Sequence, residues 1–265
     1  MKTIEFLKNN NVNVEQSLEL FGDIETYNET LIEFQNGIDA KLAELNKYYN
    51  EADMANYAIY AHSLKSDCKY FGFMTLAEIA YEHEMQGKAN NYEFVKQNFD
   101  AFMAESAKIK ALVNSYLSDD DTPVEESAPV VASVAPAAEE DIILIADDSE
   151  VIRIFVKKIF DENYELAFAE NGEEALSIIK EHEADGRIKA ILLDLNMPKV
   201  DGFAVLDYLQ ANNLMMKMPV TIISGDSSSD VINKAFNYPI IDMLNKPFSE
   251  DKIRSAVEKT ISYSK

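Results

Sequence analysis

The sequence predicts two domains, an all-α antiparallel helix bundle followed by a doubly wound α/β domain with a five-stranded parallel sheet. Two observations carry this. Up to Ser118, apolar residues recur at spacings of three and four, the period of amphipathic helices; from Ile142 onward, short apolar runs alternate with helical segments. A third observation divides them. Residues 119–140 are acidic and rich in Ala and Pro, with no aromatic and no apolar period, and read as a linker. The expected domains are therefore 1–118 and 141–265.

In the first domain Val14–Phe21 is a helix stopped at Gly22. Residues 27–50 place Leu31, Phe34, Ile38, Leu42 and Leu45 on one stripe. Residues 52–71 form the next helix, ended by Gly72. The helix over 75–86 opens with Thr75 and Glu78 at the spacing of a capping box. The last helix spans 91–117. Short connections between long amphipathic helices predict antiparallel neighbours.

In the second domain strands are expected at 142–146, 164–168, 188–193, 220–224 and 240–244, and helices at 150–160, 173–183, 202–210, 229–236 and 250–262. Strands this apolar must be covered on both faces, as in a parallel sheet between helix layers. The chemistry of such sheets collects at the C-terminal ends of the strands.

Composition removes several function classes. The net charge of −23 argues against nucleic acid and against an anionic membrane surface, both of which require basic surfaces. The seven acids of 119–140 have no offsetting base, so this stretch is the most charge-dense. The single cysteine, Cys68, excludes an intrachain disulfide and fits a reducing cytoplasm; it falls on the buried stripe of its helix. Residues 1–8 lack the apolar stretch of a signal peptide, and no run approaches the ~18 apolar residues of a membrane span. All eight glycines are isolated, so no Gly-rich phosphate loop is present and the chain is not expected to be a kinase.

Two constellations carry chemistry. Asp147 and Asp148 follow the first strand, Asp194 the third, Ser224 ends the fourth and Lys246 follows the fifth. A parallel sheet brings all five to one edge. Three carboxylates there repel one another unless a cation sits among them, and hard oxygen donors suit Mg²⁺. Lys246 neutralises developing phosphoryl charge, Ser224 donates to a phosphoryl oxygen, and Asp194 is the natural nucleophile. In the bundle, His62 lies opposite the apolar stripe of its helix and should face solvent, with Lys65 and Ser66 at i+3 and i+4. A neutral imidazole attacks phosphorus well, and a neighbouring ammonium attracts phosphoryl oxygens. His83 and His182 lack such neighbours and read as ordinary helix residues.

The Asp147-Asp148 pair, Asp194-x-x-Met197-Pro198, Asp201-Gly202, Ser224-Gly225 and Lys246-Pro247-Phe248 together resemble the response-regulator receiver family across 141–265. The resemblance implies that Asp194 is the phosphoacceptor. It implies that Asp148, Asp194 and the backbone carbonyl of Asn196 hold Mg²⁺, with Asp147 assisting through water. It also implies that Ser224 and Lys246 bind the phosphoryl group and that the Lys246-Pro247 bond is cis. Met243 stands where that family usually has Tyr or Phe.

Residues 13–117 resemble a histidine-containing phosphotransfer (HPt) domain, through Ala61-His62-x-Leu64-Lys65, Gly72, Leu76 and Glu84. There His62 is the implied phosphoacceptor and Lys65 its charge partner. The residue after the lysine, commonly Gly, is Ser66, followed by Asp67.

The function expected is phosphorelay signalling in the cytoplasm. The partners would be a sensor histidine kinase, its receiver domain, or other response regulators, with no nucleic acid and no membrane. The receiver would catalyse only its own phosphorylation and dephosphorylation, and no DNA-binding output domain is expected after it. Two alternatives stand beside this. One is a docking module with an unphosphorylated bundle, gated by the receiver. The other is a phosphatase of a partner's receiver.

Overall fold

The computed structural model describes residues 1–118, 141–160, 164–226 and 228–264. The linker expected over 119–140 lies outside the described residues. The N-terminal domain contains α1 (Ile4–Lys8), α2 (Val14–Phe21), α3 (Ile24–Asn50), α4 (Met54–Tyr70), α5 (Met74–Lys88) and α6 (Tyr92–Leu117). Helices α3 to α6 form a ring in which each packs on its neighbours. Short polar side chains start three of them. Asp23, Asp53 and Asn91 accept from the backbone N–H groups of Thr26, Asn56 and Phe94 at 2.8, 3.1 and 3.3 Å.

Two local expectations need correction. Thr75 does not open α5, which begins at Met74 after Phe73, with no side-chain cap. The turn is set instead by Gly72, whose φ of 76° favours glycine. A Cβ at Gly72 would also stand 2.4 Å from the Asn13 carbonyl oxygen. The second correction is α1, which the periodicity did not predict.

The C-terminal domain contains β1 (Ile142–Ala146), α7 (Glu150–Phe160), β2 (Glu165–Ala169), α8 (Gly172–Glu181), β3 (Ile188–Asp194), α9 (Gly202–Ala211), β4 (Val220–Ser224), α10 (Ser229–Ala235), β5 (Asp242–Asn245) and α11 (Glu250–Ser262). The sheet order is β2-β1-β3-β4-β5 and every pairing is parallel. The fifth strand starts at Asp242 instead of Ile240.

Alternate residues of β1 serve different cores. Ile142, Leu144 and Ala146 pack with α8, α9 and α10, whereas Ile143 and Ile145 pack toward α7 and α11. This second core continues without a break into the helical bundle. Phe21 and Tyr70 of the bundle meet Phe155 at ring-centroid distances of 5.3 and 6.3 Å, and Tyr70 meets Phe248 edge-on at 5.9 Å. The Tyr70 hydroxyl also accepts from the Phe248 N–H at 3.2 Å. The bundle is thereby seated over α7 and the loops at the C-terminal ends of β1, β4 and β5.

Candidate functional site

The parallel sheet brings the five expected side chains to one edge. One oxygen each from Asp147, Asp148 and Asp194 lies within 4.8 Å of the others. Lys246 Nζ stands 2.7 Å from Asp147 Oδ2 and 2.5 Å from Asp194 Oδ2. The Lys246-Pro247 bond is cis. The other Asp194 oxygen, Oδ1, accepts from the Asn196 N–H at 3.0 Å. Burial raises the Asp147 carboxyl to about 7; repulsion from Asp194 and Asp148 adds to the rise and Lys246 opposes it. Burial also raises Asp148, with Asp194 adding, although Lys41 and Lys246 pull it back. Lys246 pairs directly with two of these carboxylates while Lys41 is engaged by Asp67, so the cluster remains undercompensated. Its donors are therefore suited to a hard divalent cation.

Ser224 ends β4 fully buried, and its Oγ accepts from the Asp226 N–H at 3.1 Å. Met243 on β5 is half-buried and packs against the core under α9 and α10.

His62 is the principal correction. Expected at solvent, it is 1% exposed. Its own helix stripe does face away, as the periodicity implied, but the C-terminal domain covers this face. Lys65 and Ser66 are buried with it. His62 Nδ1 lies 2.7 Å from Glu84 Oε1, and Lys65 Nζ is 3.1 Å from the same nitrogen and 2.7 Å from Glu84 Oε2. Lys88 closes the group, reaching Glu84 Oε1 at 2.7 Å and Asp226 of the C-terminal domain at 3.2 Å. Burial alone would raise the Glu84 carboxyl. The hydrogen bond from His62, with Lys65, outweighs it and holds Glu84 well below the usual carboxylate range. Burial lowers the Lys65 ammonium and Glu84 partly restores it.

With Nδ1 donating to Glu84, the imidazole lone pair lies on Nε2. This atom is buried and has no hydrogen-bond partner. It faces Gly225, the residue after Ser224. A Cβ there would stand 3.0 Å from Nε2 and 3.1 Å from Ser66 Oγ. The Ser66 hydroxyl turns back onto the His62 carbonyl at 3.1 Å. The bulk that Ser66 adds on the bundle is thus matched by a glycine on the opposing loop.

The sequence carried no signal for how several interface residues pair. Lys41 pairs with Asp67 at 2.5 Å and donates to Ser63 Oγ at 2.7 Å. Asp67 in turn reaches Ser149, and Lys158 pairs with Glu29. Cys68 is fully buried, as its stripe predicted, and burial raises its thiol well above the ordinary value. His83 is a core residue, 2.6 Å from the Tyr57 hydroxyl and stacked on Phe102. His182 pairs with Asp185 at 2.7 Å.

Residues 143–258 match the model of the response regulator receiver domain. The chemotaxis protein CheY of Bacillus subtilis is 30% identical over 122 residues, covering 45% of this chain and 97% of that protein. The chain belongs to the response regulator receiver family. Sporulation initiation phosphotransferase F of the same organism is 32% identical over 118 residues, 44% of this chain and 90% of that one. The probable C4-dicarboxylate response regulator DctR of Priestia megaterium is 30% identical over 126 residues, 46% of this chain but only 52% of its own length. Receiver membership accounts for the acidic pocket and places the chain in two-component signal transduction. It does not extend to the helical domain, which lies outside the matched residues. No helix among the described residues is long and apolar enough to cross a membrane.

Proposed function

We propose that the chain is a phosphorelay protein in which Asp194 and His62 exchange one phosphoryl group while the helical domain, acting as an HPt domain, is docked on the receiver. The observation that supports this best is the unpartnered, buried Nε2 of His62 facing Gly225 at the rim of the acidic pocket. A buried polar atom without a partner carries a desolvation cost, and such costs concentrate where chemistry needs a free lone pair.

Asp194 accepts the phosphoryl group from a phosphohistidine of a sensor histidine kinase, or the kinase's receiver supplies it through His62. In the first case a carboxylate oxygen of Asp194 bonds to phosphorus as the P–N bond of the donor breaks. Asp148, Asp194 and the Asn196 carbonyl would hold Mg²⁺, with Asp147 assisting. The ion would supply positive charge to the phosphoryl oxygens. Lys246 adds an ammonium to that field and Ser224 a hydroxyl. In the transfer step the Nε2 lone pair attacks phosphorus, the acyl O–P bond breaks and the Asp194 carboxylate leaves. The imidazole becomes positive and keeps its Nδ1 proton against Glu84. The reverse step uses the same groups.

The relay partners, a sensor histidine kinase, its receiver or another response regulator, are the only substrates on this reading. The chain has no ATP-dependent kinase or DNA-binding activity of its own and works in the cytoplasm. The test is chemical. Protein labelled by a phosphorylated partner is compared with His62→Gln and Asp194→Asn. Acyl phosphate is lost in base, whereas phosphohistidine is lost in acid and survives base. The relay predicts base-stable label that disappears in His62→Gln. Its absence from the unaltered chain would leave the bundle a phospho-gated docking module, a reading favoured by the burial of both Asp194 and His62.

A further inference from the structure

Five residues along α4 from His62, Asp67 places a carboxylate inside the interdomain contact, 4% exposed. Burying a charge against an already acidic pocket is costly unless every oxygen is answered. Both are. Oδ1 accepts from Ser149 Oγ at 2.5 Å, and Oδ2 pairs with Lys41 Nζ at 2.5 Å. The two partners come from opposite sides. Lys41 lies on α3 of the bundle. Ser149 is the receiver residue directly after the acidic pair, with its N–H held by Asp147 Oδ1 at 3.0 Å and its Oγ accepting from the Ile152 N–H at 3.3 Å. The contact thus runs from a bundle ion pair to the loop that carries two of the pocket carboxylates. Neither Asp67 nor Lys41 belongs to the apolar core around α4, although their ion pair also ties α3 to α4 within the bundle.

We propose that Asp67, clamped by Lys41, is the specificity residue by which the bundle selects the receiver of its own chain, reading the Ser149 hydroxyl at the rim of the acidic pocket. This deepens the relay reading and rests on it for its purpose, although the contact itself does not. Selection works by penalty. A receiver surface without a hydroxyl at that point leaves one Asp67 oxygen buried and unanswered beside other carboxylates, and the interface rejects it. Asp67 touches no reacting atom and is a positioning residue. The alignment it fixes is that of the α4 face which carries His62 over the β4–α10 loop.

The test uses full chains altered on either side: Asp67→Ala, Ser149→Ala and the double variant. Backbone amide exchange is followed at 150–153 and 225–226. Each single change should speed exchange there by about tenfold or more, the range expected for a hydrogen bond to a charged group. Ser149→Ala also removes the Ile152 cap, so the double variant should be no faster than Ser149→Ala alone, in which the contact to residue 67 is already gone. Unchanged protection, or two effects that simply multiply, would overturn the proposal.

A second readout concerns transfer between copies. A chain carrying Asp194→Asn keeps His62 as acceptor. It is offered labelled His62→Gln chains with either Ser149 or Ser149→Ala. Label should reach His62 about tenfold more slowly from the Ser149→Ala chain. That difference should vanish when the acceptor also carries Asp67→Ala; equal rates with Asp67 intact would refute the selection. Coupled exchange effects with no label ever reaching His62 would instead remove the relay reading and leave the address standing.

Discussion

His62 Nε2 and Gly225 meet so closely that a Cβ on the glycine would lie 3.0 Å from the imidazole nitrogen. The glycine is not in the left-handed region, so its own loop does not need it. The space is needed by the opposing domain. Gly225→Val should therefore leave the receiver folded and able to take a phosphoryl group from a small phosphodonor. It should weaken docking by about 1–3 kcal/mol, the usual cost of overpacking a well-filled contact. Amide exchange across α4 checks this. Protection equal to that of the unaltered chain would show that the two domains do not rely on this approach.

Glu84 answers both His62 and Lys65, so on the proposed relay its removal should disorder the His62 imidazole more than the fold. Glu84→Gln keeps the shape but removes the charge that fixes the imidazole proton on Nδ1. Transfer to His62 should slow by about 10–100-fold, as hydrogen bonds to charged partners are worth roughly 1.5–3 kcal/mol. The rate of acyl phosphate formation at Asp194 should not change. Quench-flow labelling separates the two steps, and equal slowing of both would contradict the role given to Glu84.

The sites were legible to different depths for physical reasons. Asp147, Asp148, Asp194, Ser224 and Lys246 could be placed together because strand ends of a parallel sheet share an edge whatever their sequence separation. His62 reads as exposed from its own helix but is buried. A helix's periodicity shows which stripe its own domain buries, not which face a second domain covers. Asp67 and Lys41 could not be joined at all, since the contact depends on how two domains dock. The five-residue α1 is too short to show a period. The misplaced start of α5 followed from Thr75 and Glu78 matching a capping pattern, where Gly72 governs the turn.

Magnesium should stabilise the folded chain by relieving repulsion among the three carboxylates. At a concentration 100 times its dissociation constant an ion adds about 2.7 kcal/mol. Asp148→Asn should abolish most of that gain. Without metal it should be neutral or stabilising, because it removes one of three mutually repelling acids. Calorimetry with Mg²⁺ and with chelator gives both values. An Mg²⁺-induced rise in Tm as large in Asp148→Asn as in the unaltered chain would place the ion elsewhere.

His83 should make the bundle acid-sensitive. Its burial lowers the imidazole from 6.5 to about 4. Above pH 6.5 both folded and unfolded forms are neutral at this site and stability is unaffected. As pH falls from 6.5 toward 4 the unfolded form gains a proton that the folded form refuses, so stability is lost across that window. Below about 4 both forms are charged and the loss levels off, at roughly 3 kcal/mol for a shift of this size. His83→Gln should flatten this part of the stability profile while losing some packing against Phe102. Denaturant melts at pH 7 and pH 4.5 distinguish the two contributions, and a decline as steep in the variant as in the unaltered chain would assign the acid sensitivity to other groups.

The aromatic contact should make the two domains melt as one. Tyr70 is fully buried, meets Phe155 and Phe248, and accepts from the Phe248 N–H, so it joins the bundle core to the receiver core. Tyr70→Leu keeps an apolar residue on α4 but removes both ring contacts and the hydroxyl. The change should cost about 2–4 kcal/mol, as large buried truncations do. Most of that loss should fall on docking and less on either domain alone. A single thermal transition should then separate into two, the receiver transition alone remaining responsive to Mg²⁺. Were the variant to melt in one transition merely shifted to lower temperature, the coupling would reside in the polar contacts around Asp67 and Lys88 and not in the aromatic core.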